Sequence, residues 1–147
     1  MFPFLKLQSS DCTIYLKISR LRKDEEWIDF SIELGSEELL VSSRKTLLYY
    51  SEPNILLSIV DSFLDEHNSD EYELIDDPTV EFVFDSSKLK MILRLYRGYS
   101  LEDHEAYYMD MDQVKYLDKY LKLYNNKLDK SSKDIQELYN QGILQGD

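Results

Sequence analysis

A chain of 147 residues with 43% apolar side chains can bury a real core, which excludes a disordered polymer. It carries 29 acidic against 17 basic residues, a formal charge of −12, so nucleic acid and anionic membranes are repelled rather than bound. No apolar run approaches the ~18 residues of a membrane span. Met1-Phe2-Pro3-Phe4-Leu5-Lys6 has no signal-peptide layout, and the lone Cys12 excludes an internal disulfide and cysteine-based metal sites. A cytoplasmic protein is expected.

Ile14, Leu16 and Ile18 alternate with Tyr15 and Lys17, the period of a half-buried strand. Ile28, Phe30, Ile32 and Leu34 alternate with Asp29, Ser31 and Glu33 and give a second, with Trp27 expected to be at least partly buried at its start. The polar loop Arg20 to Glu26 between them predicts an antiparallel hairpin. Gly35-Ser36 ends the second strand, and Leu39-Leu40-Val41 reads as a short third.

A helix follows, with Ser51 as the N-cap and Pro53 in the first turn. Ile55, Ile59 and Phe63, with Leu56, Val60 and Leu64, form one apolar stripe. Those six are expected in the core with Ile14, Phe30, Phe82 and Leu93.

Val80, Phe82 and Phe84 alternate with Glu81 and Val83. Leu89, Met91, Leu93 and Leu95 alternate with Lys90, Ile92 and Arg94 beyond the turn Asp85-Ser86-Ser87-Lys88. A sixth strand is expected from Tyr99 toward Met109. Val114, Leu117, Leu121, Tyr124 and Leu128 then return to helical spacing behind Asp110 or Asp112 as cap. A last short helix starts near Ser131 or Ser132 and ends at Gly142. Four Gly, three Pro and no internal repeat leave residues 1–147 as one domain. The order predicts an α+β fold, a mainly antiparallel sheet of about six strands with one internal helix and C-terminal helices packed on it.

The charge is gathered into two blocks. From Asp61 to Asp85 stand ten acidic residues and no Lys or Arg. From Glu102 to Asp112 stand Glu102, Asp103, Glu105, Asp110 and Asp112 around Tyr107 and Tyr108, again without a basic residue. Packing like charges costs stability, and a basic protein partner would offset that cost. The alternative is solubility alone. Tyr among carboxylates favours binding, because Tyr is enriched at interface hot spots. The expected contact residues are Glu102, Asp103, Glu105, Tyr107, Tyr108 and Asp110 first, then Asp70, Glu71, Glu73, Asp76 and Asp77.

Catalytic signatures are missing from the sequence. Asp65, His67, Ser69 and Asp76 imitate calcium-loop spacing, but Asp70 stands where the turn needs Gly. His67 and His104 lie in acidic loops outside any H-E-x-x-H pattern. No G-x-S-x-G, G-x-G-x-x-G or P-loop occurs, so neither an enzyme nor a cofactor is expected. An enzyme built on a carboxylate pair is the reading from another class.

Asp24-Glu25-Glu26-Trp27-Ile28-Asp29-Phe30-Ser31-Ile32-Glu33-Leu34 resembles bacterial polymorphic-toxin immunity proteins of the contact-dependent growth inhibition and wall-associated-protein types. Thr46-Leu47-Leu48 before the helix Glu52 to Leu64 continues the likeness. So do Val80 to Phe84 followed by Leu89 to Leu95, and Asp112 to Leu128 as a closing helix. The resemblance implies a cytoplasmic antidote that binds and blocks one cognate toxin domain. Many such toxins are nucleases with basic clefts, where an acidic inhibitor would stand in for phosphates. The competing reading is a phage-type acidic nucleic-acid mimic that blocks a host defence nuclease.

Overall fold

The computed structural model describes residues 2–19, 26–35, 40–98 and 103–146. Its elements run β1 (Phe4–Gln8), β2 (Thr13–Ile18), β3 (Trp27–Gly35), β4 (Leu40–Tyr49), α1 (Glu52–Glu66), β5 (Asp70–Glu73), β6 (Val80–Asp85), β7 (Lys90–Tyr96), β8 (His104–Met109), α2 (Met111–Tyr124), α3 (Lys133–Asn140) and β9 (Leu144–Gln145). The fold is mixed α+β, but its strands form two antiparallel sheets instead of one sheet of about six. The first has the order β4-β3-β2-β1-β9 and the second β5-β6-β7-β8.

The expected hairpin is β2 with β3, in a register that sets Ile14 opposite Leu34 and Leu16 opposite Ile32. The third strand is longer than three apolar residues suggested. It continues to Tyr49 because β3 offers nine rungs of backbone pairing. Leu39 and Tyr99, read as strand residues, lie outside the described residues, as do Arg20 to Glu25 of the hairpin loop. Leu89 is a turn residue at φ 53, not part of β7, because the Asp85 carboxylate gathers the Ser87 and Lys88 amides into the turn before it.

Side chains alternate across each ladder, so each sheet has an inner and an outer face. The inner faces share one core. Leu5, Leu16 and Ile32 come from the first sheet, Phe82, Leu93 and Met109 from the second, and Val60, Phe63, Val114 and Leu121 from the helices. Phe63 packs on Phe84 with ring centroids 5.4 Å apart. The buried Tyr120 hydroxyl joins α2 to the first sheet, accepting from Ile18 N at 3.0 Å and donating to Pro3 O at 2.8 Å.

The α1 stripe is turned from its expected position. Leu56, Leu57, Val60 and Phe63 are buried, Ile59 and Leu64 half-buried, and Ile55 is 39% exposed. Trp27 opens β3 on the outer face of the first sheet, 38% exposed and partly covered, with its ring edge against Tyr49. Among the described residues no helix is long and apolar enough to cross a membrane.

Candidate protein-binding face

Parts of the two acidic blocks, separated in sequence, lie on the two edges of the second sheet. β5 carries Asp70, Glu71 and Glu73 at one edge, and β8 carries Glu105, Tyr107 and Tyr108 at the other. Three strand spacings separate them by about 14 Å. The register decides which side chains share a face. Glu71, Val83, Ile92 and Tyr108 form one row across the sheet, and Glu73, Glu81, Arg94 and Ala106 form the next. Tyr72, Phe82, Leu93 and Tyr107 form the row between, on the core side.

Val83 and Ile92 are buried yet stand outside the common core. They floor a shallow depression walled by Glu71, Asp85, Lys88, Arg94 and Tyr108. Tyr108 is 41% exposed there. Glu81 is buried between Arg94 and Tyr96, each donating to it over 3.2 Å, which keeps a desolvated charge paired. Tyr96 in turn packs on His104.

Along the first block the carboxylates divide by task. Lys122 lies 3.4 Å from Asp61 and 2.7 Å from the buried Asp118 at the α1–α2 seam. Burial, then the neighbouring Asp61, pushes the Asp118 carboxyl up to about 7, while Asp118, then Lys122, holds Asp61 below the usual aspartate range. Asp77 accepts from Thr79 N at 3.1 Å and from its hydroxyl, closing the β5–β6 turn. Asp70 accepts from the Glu71 amide at 2.8 Å. Asp65, Glu71, Glu73 and Asp76 are exposed and make no side-chain hydrogen bond or ion pair with a described residue.

The second block is more committed. Glu105 is paired with Arg97 and accepts from the Tyr107 hydroxyl. Tyr107 first, then Arg97, holds the Glu105 carboxyl below the ordinary glutamate range. Tyr107 is half-buried on the core side, where burial and Glu105 push its phenol up. Asp110 caps α2, accepting from Asp112 N at 3.0 Å and Gln113 N at 3.3 Å. Asp103 is exposed at the β7–β8 turn, and Glu102 lies outside the described residues.

Among the acidic side chains with fixed roles, Glu81 and Glu52, like Asp118, carry no distinguishing mark in the sequence. Glu81 was counted only as one charge in a run. Glu52 sat unremarked between the cap and Pro53, yet its buried carboxylate accepts from Tyr49 N at 2.8 Å, Ile75 N at 3.2 Å and the Tyr72 hydroxyl at 2.6 Å. Among the described residues no group of three or more His, Cys, Asp or Glu side chains is arranged to hold a metal ion. Comparisons with protein-family models, curated proteins and solved structures give no match for the chain.

Proposed function

We propose that this chain is a binding protein that docks a basic protein on the outer face and β5 edge of its second sheet. On the immunity-protein resemblance, that partner would be a cognate toxin domain, a nuclease, which binding would neutralise. The observation that carries the reading is the shared row Glu71, Val83, Ile92 and Tyr108. It joins one free carboxylate, Glu71, to an apolar floor and an exposed tyrosine, with Glu73 in the next row on the same face. That composition matches what interface anchors need: an aromatic and apolar centre with charge at its rim. The free carboxylates would speed encounter with a basic surface and set its orientation.

The test is to purify the chain with its bound protein, identify that protein, and reverse Glu71, Glu73 and Asp76 to Lys. Close charge pairs across an interface couple by about 1.5–7 kcal/mol, so the triple reversal should weaken binding by more than tenfold at low salt. The loss should shrink as salt rises. Unchanged affinity at low salt would leave these carboxylates as solubilising surface only.

A further inference from the structure

Six large apolar side chains are exposed among the described residues: Trp27, Tyr50, Ile55, Ile75, Leu89 and Tyr108. Scattered singly over a surface they would need no explanation. They are not scattered. Tyr108 belongs to the face already described, and Leu89 to the β6–β7 turn. The other four lie around the start of α1. Trp27 and Tyr49 stand opposite each other at the end of the β3–β4 ladder, ring centroids 5.1 Å apart. Tyr49 and Tyr50 continue the run at 4.6 Å. Tyr50 N donates to Glu26 O at 2.8 Å, which fixes the aromatic run to the start of β3.

Glu52 brings the end of β5 to this corner. One carboxylate binds the Tyr49 amide through Oε1 and the Ile75 amide through Oε2, so a single buried side chain ties both backbones to this region. Ile75 is 59% exposed and Tyr50 54%. Folding gains little from leaving side chains of this size in water, and a buried carboxylate with three donors holds the backbone that presents them. Ile75 also directly continues the acidic edge: Glu73 precedes it by two positions and Asp76 follows it, both exposed. Glu26 and Asp29, exposed as well, flank Trp27.

We infer that the corner formed by Trp27, Tyr49, Tyr50 and Ile75 is the anchoring part of the partner interface, and that it receives a large apolar side chain flanked by Lys or Arg. This rests on the binding reading above. The apolar group would seat on Tyr50 and Ile75, and the flanking cations would meet Asp76 and Glu73 on one side and Glu26 and Asp29 on the other.

The experiment uses a phage-displayed random peptide library panned on the full chain, with enriched peptides then synthesised as probes. The enriched sequences should carry an aromatic or long aliphatic residue flanked by Lys or Arg. Trp27 is the chain's single tryptophan, so a probe seated on the corner should shift its emission. A variant carrying Tyr50→Ser and Ile75→Ser, with the circular dichroism and melting curve of the parent, should bind these probes roughly thirtyfold more weakly. Reversal of Glu71, Glu73 and Asp76 is measured beside it. Loss in both variants supports the anchor. Loss on charge reversal alone, or binding that leaves Trp27 emission unchanged, overturns the anchor and leaves the binding face standing. Full affinity in both variants, or a library that enriches nothing, overturns the two together.

Discussion

The two edges of the second sheet carry similar acidic sequence and put it to different use. At the β8 edge, Glu105 is tied to Arg97 and Tyr107, and Asp110 is tied to the first turn of α2. At the β5 edge, Glu71, Glu73 and Asp76 face solvent with no described partner. Charge density along a sequence therefore does not measure charge on offer to a ligand. A carboxylate holding a helix cap or a tyrosine hydroxyl is part of the fold, and replacing it tests the fold first. The β5 carboxylates contribute little to folding, which makes them the cleaner place to test binding.

The comparison supposes one core beneath both edges. Phe63 is fully buried against Phe84 of that core, so Phe63→Ala should cost about 3–5 kcal/mol in denaturant unfolding. The transition should stay single, with Trp27 emission and far-ultraviolet dichroism moving together; separate transitions would mean that the sheets fold apart. Glu52→Ala should cost about 2–4 kcal/mol, because two amides and a tyrosine hydroxyl lose their acceptor. A melt within error of the parent would remove Glu52 as the clasp between β4 and β5. Asp110→Ala should cost about 0.5–2 kcal/mol through the lost cap, whereas Glu71→Gln and Glu73→Gln should stay within about 0.5 kcal/mol of the parent. Equal losses at the two edges would erase the distinction between them.

A smaller effect separates Asp61 from the free carboxylates of its own block. Its neighbour Asp118 has a folded-state value of about 7 against 3.8 when unfolded, so protonation favours the folded chain. That contribution is complete below about pH 4 and is lost as pH rises through about 7. Unfolding midpoints of the parent should therefore fall across that window relative to Asp118→Asn. Parallel pH profiles for the two proteins would show that Asp118 is already ionised in the fold.

The strands with alternating apolar residues were legible, among them β2, β3 and β6, and so were the three helices. β5 was not, because Asp70-Glu71-Tyr72-Glu73 buries only Tyr72 in part and owes its place to pairing with β6. The polar middle of β4, Ser42 to Thr46, is likewise held by pairing with β3, and Arg44 reaches the Thr79 and Tyr96 carbonyls at 3.3 and 3.1 Å. Ile55 shows a limit of periodicity: a spacing of four fits two neighbouring stripes, and packing against the sheets chose the one through Leu57. For the site, composition revealed the two blocks and Tyr108. It could not reveal that Glu71 and Tyr108 share a row, since that depends on the register of three ladders. Nor could it tell a free carboxylate from a tied one, since Glu105 depends on a contact with Arg97 across the β7–β8 turn.

The most direct test of free against committed carboxylates is carbodiimide labelling followed by mass spectrometry, on the chain alone and with its co-purified partner. In the chain alone Glu71, Glu73 and Asp76 should label fastest, Glu105 more slowly, and the buried Glu52 and Glu81 least. In the complex the β5 carboxylates should be strongly protected while Asp112, exposed beyond the cap, keeps its rate. Glu71 and Glu73 labelling as fast in the complex as in the free chain would contradict the β5 edge as the partner's contact.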